Sequence, residues 1–140
     1  MINAPPFSEA ATLDVDATFW CCPITPAQQR NFIIHWNDLF YIDHNAPFDA
    51  TSAGSVFGRV AHAKSAILKS RNIGPSKKWV DDFVFFRFPI SSVPSFPYAL
   101  SDIYDLASQL GWPWKDSKTR PFAPEFKYLG FIWNLSTKNV

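Results

Sequence analysis

The sequence has almost no cysteine, almost no net charge and no long apolar run, and each absence removes a class of protein. The two cysteines, Cys21 and Cys22, are adjacent. Neighbours on a strand point to opposite faces, which does not suit a structural disulfide, and no zinc-ligand spacing exists. Two reduced thiols are expected. No stretch reaches 18 apolar residues, so no transmembrane helix is predicted. The opening residues, Met1 to Asp16, have neither a basic n-region nor an apolar h-region and do not read as a signal peptide. The expectation is an intracellular protein of cytoplasm or nucleus, neither secreted nor held at a membrane. The formal net charge is +1, so affinity for phosphates requires a local basic patch or metal ions. His35, His44 and His62 are scattered over a strand, a loop and a helix, which gives no metal or catalytic pattern. A Gly-rich phosphate loop, a Ser/His/Asp pattern and a setting for a cysteine nucleophile are all missing.

What remains is an apolar, aromatic chain of one-domain length. Its 140 residues are 47% hydrophobic and 17% aromatic, enough for a packed core and too much for wholesale disorder. Residues 1–9 read as a loose, Pro-rich lead. Thr12–Thr18 reads as a strand, and Thr25-Pro26 as the cap and first position of a helical turn. Phe32–Trp36 and Leu39–Asp43 are strand-like runs, and the polar pair Asn37-Asp38 between them predicts a hairpin. Over Thr51–Arg71 the period becomes helical. Val56, Val60 and Ile67, with Phe57, Ala61 and Leu68, are predicted inward, and Arg59, Lys64 and Lys69 outward. Asn72-Ile73-Gly74-Pro75 stops that helix. Lys78–Phe88 predicts a second hairpin around Asp81-Asp82. Tyr98–Leu110 reads as a helix stopped by Gly111, and Phe122 with Phe126–Trp133 as closing strands. The order strand, hairpin, helix, hairpin, helix, strand predicts an α+β fold of the ferredoxin-like kind, a mainly antiparallel sheet with two helices on one face.

The chemistry lies in the acids. Asp81 and Asp82 sit between Trp79-Val80 and Phe83-Val84-Phe85, and buried carboxylates are costly unless paired, hydrogen-bonded or metal-bound. An exposed hairpin turn is the bland alternative. Asp14 lies in a second strand-like run, Leu13 to Phe19. In a ferredoxin-like sheet the first strand and the central hairpin are neighbours, so the three acids can converge. Such a set favours hard divalent ions, Mg²⁺ above all.

These residues resemble the palm of reverse transcriptases, RNA-directed DNA polymerases of eukaryotic retroelements of the DIRS or Gypsy-like kind. Leu13-Asp14-Val15-Asp16-Ala17-Thr18-Phe19 looks like the first polymerase motif. Ala46-Pro47-Phe48-Asp49 through Phe57 resembles the second, at the start of the long helix. Trp79-Val80-Asp81-Asp82 is similar to the third, the Y-x-D-D hairpin. Leu110-Gly111 with Lys118 resembles the fourth, and Phe126 to Phe131 the fifth. The five stand in family order over nearly the whole chain.

The resemblance implies roles. Asp14, Asp81 and Asp82, with the backbone carbonyl of Val15, would hold two Mg²⁺ ions, or Mn²⁺ in their place, and Lys118 would serve the leaving phosphate. Phe19, Phe48 and Asp49 would face the incoming deoxynucleotide, and Tyr128, Leu129 and Gly130 would form the primer grip. The partners would be an RNA or DNA template with its primer and deoxynucleotide triphosphates. Asp49 stands where the motif has glycine and would repel a triphosphate. Residues 10–140 would be a palm fragment with fingers and thumb largely missing. The alternative is a catalytically silent palm kept as a nucleic-acid-binding or interaction module.

Overall fold

A computed structural model describes residues 4–48, 50, 52–90 and 95–140. The chain divides into two compact units, one of Met1–Asp16 with Ala63–Val140 and one of Ala17–His62. Among the described residues no helix is long and apolar enough to cross a membrane.

The first unit is built on a four-stranded antiparallel sheet in the order β4-β5-β1-β6, with β1 Glu9–Asp14, β4 Ser76–Trp79, β5 Asp82–Arg87 and β6 Arg120–Ala123. The central strands are apolar on both faces because both faces are covered. On one face Ala11 pairs with Phe85 and Leu13 with Phe83. There Phe83 and Phe85 meet the Trp114 ring edge-on at 5.3 and 6.1 Å. On the other face Ala10 and Val84 pack with Phe126 and Leu135, flanked by Phe86, Tyr128 and Trp133. Phe126, Tyr128 and Trp133 come from the hairpin of β7 Glu125–Tyr128 and β8 Phe131–Asn134, and Leu135 follows it. Leu129 and Gly130 close that hairpin with φ of 52° and 83°, the doubly left-handed turn that matches strand twist. Helix α3, Leu100–Gln109, buries Ile103, Leu106 and Ala107. The Asp102 carboxylate accepts the Ala99 N–H at 2.7 Å at its start, and Gly111 at φ 61° follows its end.

Before β1, Ser8 Oγ donates to the Pro5 carbonyl at 2.6 Å, and Ala4 packs against the Ala10–Val84 cluster. Farther along the sheet, Arg87 donates from Nε and Nη2 to Glu9 Oε2 at 2.9 and 2.6 Å. Its guanidinium lies 4.1 Å from the ring centres of both Phe96 and Phe122.

The second unit holds a short 3-10 turn, Thr18–Cys21, the single-turn helix α1, Pro26–Gln29, and the hairpin β2 Ile33–Trp36 with β3 Leu39–Ile42. Asn37 and Asp38 form its turn with φ of 49° and 57°, as the polar pair predicts. Thr25 precedes α1 without a side-chain capping bond. Cys21 is exposed, Cys22 is buried and neither forms a disulfide. The first predicted strand is displaced: β1 ends at Asp14, and Thr18 already belongs to the 3-10 turn.

Helix α2, Ala53–Ser70, spans the division between the units and corrects the sequence expectation on two points. The buried stripe is Ala53, Phe57, Ala61, Lys64 and Leu68, whereas Val56, Val60 and Ile67 are exposed. Steps of four, four, three and four keep one face of a 3.6-residue helix. Val56, Val60 and Ile67 each precede a stripe residue by one, or about 100° around the axis. Lys64 therefore lies inside by period although its charge argues outside. It is 3% exposed, and its Nζ has no hydrogen-bond acceptor among the described residues. The indoles of Trp114 and Trp112 take its place, at 3.9 and 4.1 Å from Nζ to the ring centres.

Burial pushes the Lys64 pKa down to about 6. From there up to the ordinary lysine value the unfolded chain binds a proton that the folded chain does not, so stability rises with pH across that window and is lowest below it. Lys64→Met should flatten this rise and lift Tm at pH 7 by about 3 °C or more. Thermal melts of both proteins between pH 5.5 and 9.5 check this. A variant that keeps the wild-type slope would refute a neutral, buried Lys64.

Candidate functional site

Strand β1 ends where β5 begins, and the antiparallel register sets Asp14 directly opposite Asp82. The Val15 N–H donates to the Asp81 carbonyl at 3.1 Å and locks that end of the pair. Trp79 pairs with Asp82 on the other side of β5, so the turn of the β4–β5 hairpin is Val80-Asp81 alone. This corrects the placement of both acids in the turn: Asp81 occupies it, and Asp82 is the first residue of the strand. Val80 has φ 50°, a left-handed conformation costly for a β-branched residue.

Asp14 and Asp82 share the face of the sheet that carries Ala10, Thr12 and Val84, because alternate strand residues point the same way. Burial raises the Asp82 pKa above the usual carboxylate range. The charges of Asp81 and Asp14 and a hydrogen bond with the Asp14 carboxyl raise it further, while the charge of Lys118 opposes the shift. Asp81 and Asp14 thus both act on Asp82. Among the described residues, however, no three His, Cys, Asp or Glu side chains form a ready cage for a metal ion. The donor chemistry, carboxylate oxygen only, fits a hard divalent ion.

Lys118 supplies the counter-charge. Its Nζ donates to Asp14 Oδ2 at 2.8 Å. That bond, with the charges of Asp14, Asp81 and Asp82, holds the ammonium pKa above its usual value. The lysine ends a 3-10 turn, Asp116–Lys118. Tyr104 anchors this turn, its hydroxyl donating to Asp116 Oδ1 at 3.0 Å and lying 2.8 Å from Thr119 Oγ1. The Lys115 N–H donates to the Asp14 carbonyl at 2.9 Å, and Val15 bridges Trp114. The Val15 peptide is thereby set between the hairpin turn and the Trp114 segment.

The acids open onto a cleft of about 390 Å³ lined by Thr12, Asp14, Asp82, Lys118, Arg120, Lys127 and the turn Tyr128-Leu129-Gly130. Sequence reasoning reached Tyr128, Leu129 and Gly130, and the fold brings them to the same cleft. The Tyr128 hydroxyl donates to the Asp82 carbonyl at 3.4 Å. Burial first, then the Asp82 charge, pushes that hydroxyl above its usual pKa. Sequence reasoning missed Arg120 and Lys127. Arg120 faces the site because it pairs with Thr12 across β6 and β1, a pairing that no local motif announces.

Phe19 and Phe48 belong to the second unit. Their rings lie 5.6 Å apart, edge to face, and Phe19 also meets Phe57 at 6.2 Å. Phe48 is 74% exposed. Asp49 lies outside the described residues.

The raised Asp82 pKa carries a sign. The folded chain binds this proton more tightly than the unfolded chain, so stability falls as pH rises from the ordinary aspartate value through the raised one. Without added metal, Asp82→Asn should raise Tm at pH 7 by about 2–4 °C. The gain should shrink as pH falls through the raised value, where Asp82 takes up its proton in the wild type. Equal melting temperatures at pH 7 would show that the acid carries no such strain.

No family model matches the sequence, and no curated protein does. Solved structures do. A foamy viral protease-reverse transcriptase in complex with an RNA/DNA hybrid is 19% identical, with a TM-score of 0.65 over 91% of this chain and 16% of that chain. The same kind of protein in complex with double-stranded DNA is 21% identical, with a TM-score of 0.70 over 90% of this chain and 25% of that one. A further double-stranded DNA complex, described as dRH, gives 20% and 0.69 over 91% of this chain and 21% of that chain. The chain spans a quarter or less of the length of these proteins, and over that span it has a reverse-transcriptase-like fold.

Proposed function

We propose that the chain is the palm portion of a retroelement reverse transcriptase, of DIRS or Gypsy-like kind, that extends a DNA primer on an RNA or DNA template. The observation that carries this reading is the register Asp14 opposite Asp82, with Asp81 in the adjoining turn and Lys118 bound to Asp14. Two strand ends and one turn bring three acids from distant parts of the sequence to one end of a rigid sheet. Such a sheet holds reacting groups better than a loop does.

In this reading Asp14, Asp81 and Asp82, with the Val15 carbonyl, hold two Mg²⁺ ions, or Mn²⁺. Bound ions of this kind supply activation of the attacking hydroxyl and neutralise the leaving pyrophosphate. The protein's own contributions follow from the cleft. The Tyr128-Leu129-Gly130 turn seats the primer end beside the acids. Arg120 and Lys127 neutralise backbone phosphates on the rim, and Lys118 offers its proton and charge to the departing phosphate. Phe19, with Phe48 and Asp49, is the candidate contact for the incoming deoxynucleotide, the aromatic ring excluding a 2′-hydroxyl. The chain lies within the cell, in cytoplasm or nucleus. A catalytically silent palm that only binds nucleic acid is the second reading, favoured by the lack of a ready metal cage among the described residues.

Two measurements test the proposal. Arg120→Ala with Lys127→Ala should weaken binding to a primer–template duplex regardless of its sequence. The slope of log K against log salt should fall by about 1 to 2, one step for each phosphate no longer neutralised. An unchanged slope would remove both residues from the interface. The 140-residue chain alone should extend a primer poorly, because alignment of primer end, triphosphate and metal needs more protein than a palm. Joined to fingers and thumb of a related element it should extend, Asp81→Asn should abolish that extension, and Asp49→Gly should increase it. Extension that survives Asp81→Asn would overturn the catalytic assignment, and a joined protein that binds but never extends would leave the silent reading.

A further inference from the structure

Two acids, Asp14 and Asp82, line the cleft with Lys118, Arg120 and Lys127, and Lys118 makes the only ion pair to a carboxylate oxygen there among the described residues, Nζ to Asp14 Oδ2 at 2.8 Å. The two partners are unequal. The Asp14 side chain is 9% exposed and the Lys118 side chain 55%. Asp14 is fixed by the β1–β5 register and by the Lys115 N–H on its carbonyl. The 3-10 turn under Lys118 is fixed through Tyr104 and Asp116, so only the exposed end of the lysine side chain is at liberty to leave. The other charged groups lining the cleft are Asp82, Arg120 and Lys127, and Asp81 acts on both Asp82 and Lys118.

An ammonium paired directly to one of these carboxylates occupies the electrostatic position that a divalent cation needs. We propose that Lys118 is the resident counter-ion of the carboxylates and that a divalent ion enters by displacing it. The proposal rests on the palm reading above and adds a regulation to it. Without substrate, the released ammonium has no new partner and the ion pair opposes metal entry. With a triphosphate or primer phosphate in the cleft, the ammonium moves from Asp14 to a phosphate oxygen, and the freed Asp14 oxygen becomes a metal ligand. Metal loading is thereby tied to substrate, which accounts for a carboxylate cluster that does not form a ready cage by itself among the described residues.

Mn²⁺ binding to the full chain, followed by electron paramagnetic resonance without nucleotide, tests this. Lys118→Met should bind Mn²⁺ about 5-fold more tightly than wild type, the upper range for removal of a partly exposed ion pair. Lys118→Arg, which keeps the pair, should match wild type. Mn²⁺ should also raise Tm more in Lys118→Met than in wild type. If Lys118→Met does not fold, Lys118→Gln carries the same comparison. Asp14→Asn and Asp82→Asn should weaken binding in both backgrounds, and Asp14→Asn should erase the gain from Lys118→Met. Equal or weaker binding by Lys118→Met, with Asp14→Asn still harmful, would overturn the counter-ion role and leave the carboxylate site standing. Affinity that neither aspartate substitution changes would overturn the site reading and the counter-ion role together.

Discussion

The pairing of β1 with β5 is the constraint on which the rest of the first unit depends. Six residues on each strand are held in one antiparallel register, from Glu9 opposite Arg87 to Asp14 opposite Asp82. The apolar middle, Leu13, Phe83, Val84 and Phe85, is almost wholly buried. A slip of one residue would turn that middle inside out, which is why a strand buried on its faces is strongly specified in register. The same register forces two carboxylates together at one end and an Arg87–Glu9 ion pair at the other. The favourable burial of the middle thus offsets the cost of the crowded acids, and the raised pKa of Asp82 records that cost.

Two layers cover the sheet, and they do different work. One face meets an aromatic cluster of Phe83, Phe85, Trp112 and Trp114. Into that cluster α2 inserts Lys64, whose amine has ring faces in place of acceptors among the described residues. The other face meets the β7–β8 hairpin. There the apolar packing of Phe126 and Leu135 grades into the polar cleft formed by Tyr128, Lys127 and the acids. The Tyr128 hydroxyl, donating to the Asp82 carbonyl at 3.4 Å, links the two.

The second unit shows how far local signals reach. Asn37-Asp38 between two aromatic and β-branched runs specifies a turn whose twist matches the strands, and the hairpin forms as the pattern predicts. Every residue of its two strands is nevertheless exposed. Turn chemistry acts within four residues, whereas burial depends on what the rest of the fold lays over a strand. In α2 the period alone was legible. Six apolar residues in two neighbouring rows were all expected inside, but only the row of Phe57, Ala61 and Leu68 is buried, and Lys64 lies in it.

By itself the sequence determined the kinds of elements, their order and the turns between them, because propensity, periodicity and turn chemistry act over a few residues. It also singled out Asp14, Asp81 and Asp82, since acids amid apolar strands are costly wherever they fold, and, by resemblance alone, Lys118. Only the tertiary structure decided that Asp82 opens a strand while Asp81 occupies the turn. It also decided that Arg120 comes to the acids through its pairing with Thr12, and that Lys64 is buried. These are pairings between residues dozens of positions apart, and their free energies come from register and packing, which no short stretch of sequence contains.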